Sequence, residues 1–356
     1  MADKKILIDL SPLRLGYCGL WEYAHQFANE LISLNDPYEF DITFLAPSNY
    51  PFPNDAHIKI IPLSFFNRHV KFIVPCHDLY HAISYPSPFM PGKKFKGKCV
   101  GTIHDLNFLY EKSENKAQRY LKNYQRDLYR LDHLVFISHY AQNDAENHLK
   151  YDIQNTLIYN GVAFAQNIEL QKPPRLDFLD TPYLFTVSTF MRKKNLHTIV
   201  QMMLHLPEYK LVIAGKIIHA NYFEEVKQMV CKFNLDQRVF FTDEIDESEK
   251  AWLYANCEAF LFPSLAEGFG IPPIEAMNYG KPVFVSDKTS LPEICGEFAF
   301  YWKNFEPEYM ANIFKSGMTC FQNNPTYPQH LKKHAARYSW KSNVMQHLEL
   351  YRNLIK

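Results

Sequence analysis

The chain of 356 residues has no excess of charge of either sign, because 38 Lys and Arg balance 38 Asp and Glu. Proteins that bind nucleic acid through its phosphates usually present a basic surface, so the net charge gives no indication of a nucleic-acid partner. The sequence also lacks a Cys-x-x-Cys pair, and its number of cysteines is odd, at seven. We therefore expect neither a disulfide framework nor a zinc site. We expect the protein to be located in the cytoplasm.

Long apolar runs are missing as well. No uninterrupted run of about 18 apolar residues occurs, and the N-terminal residues MADKKILIDLSP contain no apolar segment of the kind found in signal peptides. We expect neither secretion through a signal peptide nor a membrane-spanning helix. The dinucleotide fingerprint G-x-G-x-x-G is absent too, which makes a nicotinamide oxidoreductase the least favoured interpretation.

One stretch carries most of the information, residues 263–280, with the sequence PSLAEGFGIPPIEAMNYG. It lies between two apolar segments, CEAFLFP and KPVFVS, that are typical of buried strands. Pro272 and Pro273 suit the first turn of a helix, and Gly280 suits the residue just past its end. Glycines before the helix allow close approach of a ligand, and the helix N-terminus favours phosphate. The pattern predicts a strand, a ligand-binding loop and a short helix.

Two carboxylates, Glu267 and Glu275, stand eight residues apart in this stretch. A carboxylate beside a phosphate site is explained if it accepts hydrogen bonds from sugar or ribose hydroxyls. The alternative for either glutamate alone is a solvated loop residue or a favourable charge at a helix N-terminus.

The motif PS-x-x-EGFG-x-P-x-x-EAM resembles the E-x7-E signature of the retaining GT-B glycosyltransferases of family 4. The resemblance extends over nearly the whole chain. It implies an α/β protein with the GT-B fold, in which two doubly wound Rossmann-like domains face a cleft. The residues by themselves indicate only two α/β domains, each beginning with a strand, a loop and a helix.

The resemblance implies an N-terminal acceptor-side domain over residues 1–168. The segment that follows is polar, contains prolines and has no hydrophobic period, so residues 169–181 are the best linker candidate. The resemblance further implies a nucleotide-sugar-binding domain over 182–335. A final helix within 336–356, introduced by Tyr338-Ser339-Trp340, is expected to pack back on the first domain.

Several other segments match family elements. CGLWEYAHQFANEL stands where a glycine-rich loop and helix are usual, with Gly19 retained and Cys18 in place of a glycine. VGTIHD places His104 at the end of a strand facing the cleft. Lys194 matches the lysine that holds the donor diphosphate, and Ser188 stands where some members carry an arginine, a loss for which Arg192 would compensate.

The resemblance implies retention of configuration during transfer of a hexose from a nucleoside diphosphate sugar. The expected catalytic residues are Glu267, His104 and Lys194. The expected donor-binding residues are Gly19, Arg192, Lys194, Ile245, Gly268, Phe269, Gly270, Ile271 and Glu275. No D-x-D motif occurs, so neither a metal nor another cofactor is expected.

The expected partners are a UDP- or GDP-sugar and a glycan or lipid-linked acceptor of bacterial surface polysaccharide or lipopolysaccharide synthesis. The basic run GKKFKGK (92–98) and the arginines between 119 and 130 suggest peripheral contact with an anionic membrane at its inner face, although solvated lysines explain them equally well. A non-catalytic partner subunit of another glycosyltransferase is the alternative function. A GT-B epimerase or phosphorylase fits less well, because these enzymes lack this arrangement of glutamates.

Overall fold

The structure, a computed structural model, describes residues 4–16, 18–52, 58–63, 77–164, 169–177, 179 and 182–356. The chain divides into two compact units, the first formed by Met1–Gly161 and Tyr338–Lys356 and the second by Val162–Arg337. Of the expected linker, residues 178, 180 and 181 lie outside the described part.

The first unit is built on a parallel sheet of seven strands in the order β3-β2-β1-β4-β5-β6-β7. Its five central strands are largely buried, as expected for a parallel sheet that is covered on both faces, whereas the edge strands β3 and β7 are exposed or partly exposed. The strands are β1 (Lys4–Asp9), β2 (Phe40–Ala46), β3 (Lys59–Pro62), β4 (Leu79–Ala82), β5 (Lys98–Ile103), β6 (His133–Phe136) and β7 (Gln154–Leu157). Its helices are α1 (Gly19–Leu34), α2 (Phe108–Glu111), α3 (Glu114–Leu128), α4 (His139–His148) and, at the C-terminus, α12 (Trp340–Leu354).

Helix α12 is an integral part of this first unit. Trp340, Val344 and Tyr351 join the same buried cluster as Phe27 of α1. Helix α12 is also tied to the end of the sheet, because the amide of Asn343 donates to the carbonyl of Tyr159 over 2.8 Å.

The second unit contains a parallel sheet of six strands in the order β10-β9-β8-β11-β12-β13. The strands are β8 (Tyr183–Val187), β9 (Lys210–Ala214), β10 (Val239–Phe241), β11 (Ala259–Phe262), β12 (Val283–Ser286) and β13 (Ala299–Trp302). The helices are α5 (Leu196–Met202), α6 (Ala220–Lys232), α7 (Glu247–Asn256), α8 (Ile271–Asn278), α9 (Leu291–Cys295), α10 (Pro307–Gln322) and α11 (Tyr327–Ala335). Each unit has the strand order of a doubly wound fold, so the predicted α/β class is confirmed.

Helix ends follow the chemistry that the sequence suggests. The hydroxyl of Ser138 accepts from the N–H of Ala141 and caps α4. Asp246 and Glu249 form a reciprocal capping box at the start of α7. Helix α8 carries both of its prolines in the first turn and is followed by Gly280 with a positive φ of 72°.

Candidate functional site

The strand order of the second sheet reverses between β8 and β11, which pair with each other in parallel. Ligands of open α/β sheets bind outside the carboxyl ends of the strands at such a reversal. The segment after β8 contains Lys193 and Lys194, and the segment after β11 contains Ser264 to Gly270. The two are joined directly, because the N–H of Leu265 donates to the carbonyl of Lys193 over 2.7 Å.

Lys194 and Glu267 form an ion pair at this point. The Lys194 ammonium lies 2.5 Å from Oε1 of Glu267, and each side chain is only 14% exposed. The same ammonium lies 5.2 Å from the centre of the Phe262 ring. The structure thus brings together two of the three residues predicted to be catalytic, at the sheet position where a ligand is expected.

Hydroxyl groups after β12 hold the Glu267 loop in shape. The N–H of Glu267 donates to Oγ1 of Thr289 over 3.0 Å. Oγ of Ser290 lies 3.0 Å from the carbonyl oxygens of both Glu267 and Phe269, which share its one O–H. Sequence reasoning missed both residues. Their signal was a run of polar residues, SDKTS, at the carboxyl end of a buried strand next to β11.

The loop enters helix α8 through Gly270, whose φ is +101°. This left-handed backbone favours glycine, and an added Cβ would lie 2.6 Å from a methyl group of Leu291. Gly268, Phe269, Gly270 and Ile271 therefore lead into a helix N-terminus, where the first N–H groups have no partner within the helix and attract anions.

Glu275, on α8, is held by two side chains of α7. The Lys250 ammonium lies 3.1 Å from one carboxylate oxygen of Glu275, and the Tyr254 hydroxyl donates to the other over 2.8 Å. Burial disfavours the Lys250 ammonium, but the carboxylates of Glu275 and Glu247 outweigh it and raise the pKa of Lys250. Burial, reinforced by Glu275, raises the pKa of Tyr254 well above its usual value, so this hydroxyl remains a donor. Sequence reasoning identified Glu275 and missed both partners.

A small depression, with about 250 Å³ of empty space including solvent, opens beside this group. It is lined by Ala163, Phe164, Glu247, Lys250, Ala251, Tyr254, Glu275 and Tyr279. Glu275 is thus one of the residues that line an opening on the surface of the second unit.

The contacts of the Arg192 side chain in the structure are with residues of α6, and none is recorded with Glu267 or Glu275. Arg192 makes a bidentate contact with Glu225 on α6 and stacks over the Tyr222 ring at 5.2 Å, while its side chain is 64% exposed. Its proposed role at the diphosphate stays a prediction, and it requires release from Glu225.

Ile245 is half-buried in the segment between β10 and α7. This segment and the segment after β8 both begin at the carboxyl ends of strands. Gly215, which directly follows β9, contacts both of them. Gly215 donates its N–H to the carbonyl of Asp243 over 2.8 Å, and a Cβ on it would lie 1.9 Å from the carbonyl oxygen of Ser188. Only glycine fits this position, where three strand ends converge.

His104 and Gly19 belong to the first unit. His104 directly follows β5, and its Nε2 lies 2.8 Å from the carbonyl oxygen of Ile83, so Nε2 carries the proton and Nδ1 is left as an acceptor. Burial lowers the pKa of His104 to about 4, which keeps the ring neutral at physiological pH. Gly19 is the first residue of α1, and a Cβ on it would have no neighbour within 4 Å.

In the part of the chain that the structure describes, no group of three or more His, Cys, Asp or Glu side chains is arranged to hold a metal ion. None of the described helices is both long enough and apolar enough to cross a bilayer.

Comparison with family models covers both units. Residues 19–166 match the model described as Glycosyltransferase Family 4, and residues 167–338 match the model described as Glycosyl transferases group 1.

Among curated relatives, the chain is 27% identical over 329 residues to the serotype-specific mannosyltransferase WbdA of Escherichia coli. That alignment covers 85% of this chain and 38% of WbdA, so the chain spans well under half the length of this relative. It is 28% identical over 204 residues to the O-antigen chain mannosyltransferase RfbU of Salmonella typhimurium, covering 56% of this chain and 55% of RfbU.

Among solved structures, the chain resembles Anabaena Alr3699/HepE in complex with UDP-glucose, with a TM-score of 0.73 at 18% identity. The match covers 98% of this chain and 100% of HepE. A likeness at this identity establishes the fold. The chain therefore belongs to glycosyltransferase family 4, the group 1 glycosyl transferases, and has the GT-B fold.

Proposed function

We propose that the protein transfers a hexose from a nucleoside diphosphate sugar to a glycan or lipid-linked acceptor of bacterial surface polysaccharide, with retention of anomeric configuration. The observation that carries this proposal is the pair of ion pairs, Lys194–Glu267 and Lys250–Glu275, placed around the N-terminal part of α8 at the strand reversal. Mannose is the sugar that the names of the relatives favour, and the nucleotide is a UDP or GDP group.

In the proposed complex, the diphosphate takes the place of Glu267 as the partner of Lys194. The N–H groups at the start of α8 receive the phosphate oxygens, and Glu275 accepts the ribose hydroxyls. Glu267, released from Lys194, accepts a hydroxyl of the donor sugar.

His104 has an accepting role in this proposal. Its only ring N–H is committed to the carbonyl of Ile83. The neutral ring therefore offers Nδ1 to a hydroxyl of the sugar or of the acceptor, whereas a phosphate oxygen, itself an acceptor, is disfavoured.

The transfer step needs no covalent intermediate. The bond between the anomeric carbon and the phosphate oxygen breaks, and the acceptor oxygen bonds to the same face of that carbon. The acceptor's proton passes to the departing phosphate oxygen. Lys194 and the α8 N-terminus stabilise the charge of the leaving diphosphate, a contribution for which loss of one group typically costs roughly 10²–10³ in rate. A trapped glycosyl–Glu267 adduct would contradict this mechanism.

The proposed reaction uses no metal ion, because Lys194 and the α8 N-terminus would neutralise the diphosphate. Turnover in excess EDTA should equal turnover in added Mg²⁺ or Mn²⁺. Loss of turnover in EDTA, restored by one of these metals, would reject this part of the proposal.

Peripheral membrane contact from the cytoplasmic side is the proposed route to a lipid-linked acceptor. Exposed cations along and just before α3 support it, together with Tyr110, which is 57% exposed, and Tyr120, which is 40% exposed. These cations are Lys112, Lys116, Arg119 and Lys122. Absence of co-sedimentation with anionic vesicles at low salt would reject this contact.

The direct test is turnover. Wild-type protein should release nucleotide from GDP-mannose or UDP-glucose in the presence of a membrane or glycan acceptor fraction, and NMR of the product should show the donor's anomeric configuration. Inversion would reject the retaining mechanism. Donor binding without turnover would favour the non-catalytic partner subunit.

A further inference from the structure

Helix α7 presents two polar side chains to Glu275 from one face. Lys250 and Tyr254 are four residues apart, which places them one above the other along the helix. Tyr254 is almost completely buried at 1% exposure, and its ring stacks on Tyr279 with centroids 5.6 Å apart and planes 13° apart. The Tyr254 hydroxyl is thus held in place, 2.8 Å from Oε2 of Glu275 and 3.3 Å from the carbonyl oxygen of Pro272, and the carboxylate is the nearer acceptor.

Lys250 is restrained in a different way. Its ammonium lies 2.9 Å from Glu247, one helical turn earlier on α7, and 3.1 Å from Glu275 on α8. The Glu275 side chain is 14% exposed, whereas that of Glu247 is 68% exposed. The more shielded contact with Glu275 is therefore less screened by water and better able to orient the carboxylate.

Each Glu275 oxygen consequently has one donor among the described residues, Lys250 for Oε1 and Tyr254 for Oε2. A carboxylate has about four acceptor sites, two on each oxygen. One site per oxygen is left, so the carboxylate can still accept two hydroxyl hydrogens, one on each oxygen, which is the number that two neighbouring hydroxyls of a sugar ring donate.

We propose that Lys250 and Tyr254 are positioning residues that orient the Glu275 carboxylate to accept both hydroxyls of a ribose 2′,3′-diol, and so make the protein selective for ribonucleotides over 2′-deoxyribonucleotides. This inference rests on the proposed function, since it assigns the ribose to Glu275. It adds two residues, Lys250 and Tyr254, that would contribute to selectivity for ribonucleotides and that belong to no motif recognised in the sequence.

The test is the ratio of dissociation constants for a 2′-deoxynucleotide and its ribonucleotide, measured by calorimetry with UDP and dUDP and with GDP and dGDP. Wild-type protein should prefer the ribonucleotide by roughly tenfold or more, as expected when a hydrogen bond to a charged group is lost. In Lys250→Met the ratio should fall to about threefold or less, and Lys250→Arg should restore it. The same substitution at Lys315, an exposed residue of α10, is the matched control and should leave the ratio unchanged.

The outcomes separate the two levels of the proposal. If wild-type protein binds none of these nucleotides, the proposed function fails and the inference fails with it. If wild type binds and discriminates, but Lys250→Met discriminates equally well, the inference alone is overturned. Tyr254→Phe serves as a second variant should Lys250→Met not fold, because it removes only a hydroxyl, and an unchanged ratio in that variant would also overturn the inference.

Discussion

Replacing Glu267 with glutamine should strengthen the binding of a nucleoside diphosphate, although Glu267 is expected to be essential for transfer. In the structure the Lys194 ammonium is paired with Oε1 of Glu267 at 2.5 Å, and both side chains are 14% exposed. A diphosphate that binds Lys194 must first displace this carboxylate, so the ion pair competes with the ligand. Glutamine keeps the size of the side chain and removes its charge.

The size of the effect follows from the contact that is weakened. Glutamine can still accept a hydrogen bond from the ammonium, so the two proteins differ in the attraction between opposite charges, which is about 1 kcal/mol in water and roughly 4 kcal/mol near a protein surface for unit charges about 4 Å apart. If about 1.4 kcal/mol of this attraction becomes available to the ligand, the dissociation constant for UDP or GDP should fall about tenfold. The increase in affinity should be seen only for nucleotides that carry no sugar. The intact nucleotide sugar would also lose the contact between its sugar and the Glu267 carboxylate.

Calorimetric titration of wild type and Glu267→Gln with UDP and GDP measures this effect. Glu275→Gln is the matched control, since the same chemical change is expected to weaken binding there by loss of the ribose contact. Equal or weaker binding of the nucleotide by Glu267→Gln would refute the competition between Glu267 and the diphosphate.

Three further predictions concern the support of the site and the stability of the units. Gly270→Ala places a side chain at φ = +101° and should destabilise the loop by about 1–2 kcal/mol and reduce nucleotide affinity, as thermal unfolding and calorimetry would show; unchanged melting and affinity would contradict the strain. Ser290→Ala removes the O–H that the carbonyls of Glu267 and Phe269 share, and it should lower the free energy of unfolding by denaturant by about 1–3 kcal/mol. The control Ser316→Ala, at an exposed position, should lower it by almost nothing, and equal effects of the two substitutions would contradict the role of Ser290. Burial lowers the pKa of His104 and of His347 to about 4 and that of His81 well below its usual value. Between about pH 6.5 and pH 4 the unfolded chain therefore binds protons that the folded chain does not. The free energy of unfolding should fall as the pH drops through this window, by up to about 3 kcal/mol for each of the two residues with a pKa of about 4. A free energy of unfolding that does not change with pH in this window would show that these rings are not buried in the neutral form.

Much of the fold was predictable from local pattern. Apolar runs followed by glycine turns and amphipathic helices indicated two doubly wound domains, and the sheets have the corresponding strand orders. The ends of α8 could be read from Pro272, Pro273 and Gly280 because each of these residues restricts or frees the backbone in a way that acts within one turn.

The parts of the site that escaped prediction depend on contacts between distant segments. Lys250 and Glu275 are brought together by the packing of α7 against α8, and no local pattern at residue 250 indicates that contact. Thr289 and Ser290 support the Glu267 loop only because β12 pairs with β11. Arg192 is assigned to the diphosphate as a compensation for Ser188. In the structure Glu225 of α6 holds Arg192, and its role at the diphosphate stays a prediction.

Thermal unfolding with UDP, GDP, ADP and CMP tests most directly whether Lys194 and Glu275 form a nucleotide site. A ligand at 100 times its dissociation constant adds about 2.7 kcal/mol of stability, which for units of this size is a shift of roughly 5 °C or more. We expect one of UDP and GDP to stabilise wild type by this amount and to leave Lys194→Ala and Glu275→Ala unshifted. Absence of a shift with every nucleotide, or an equal shift in both variants, would contradict the assignment of the site.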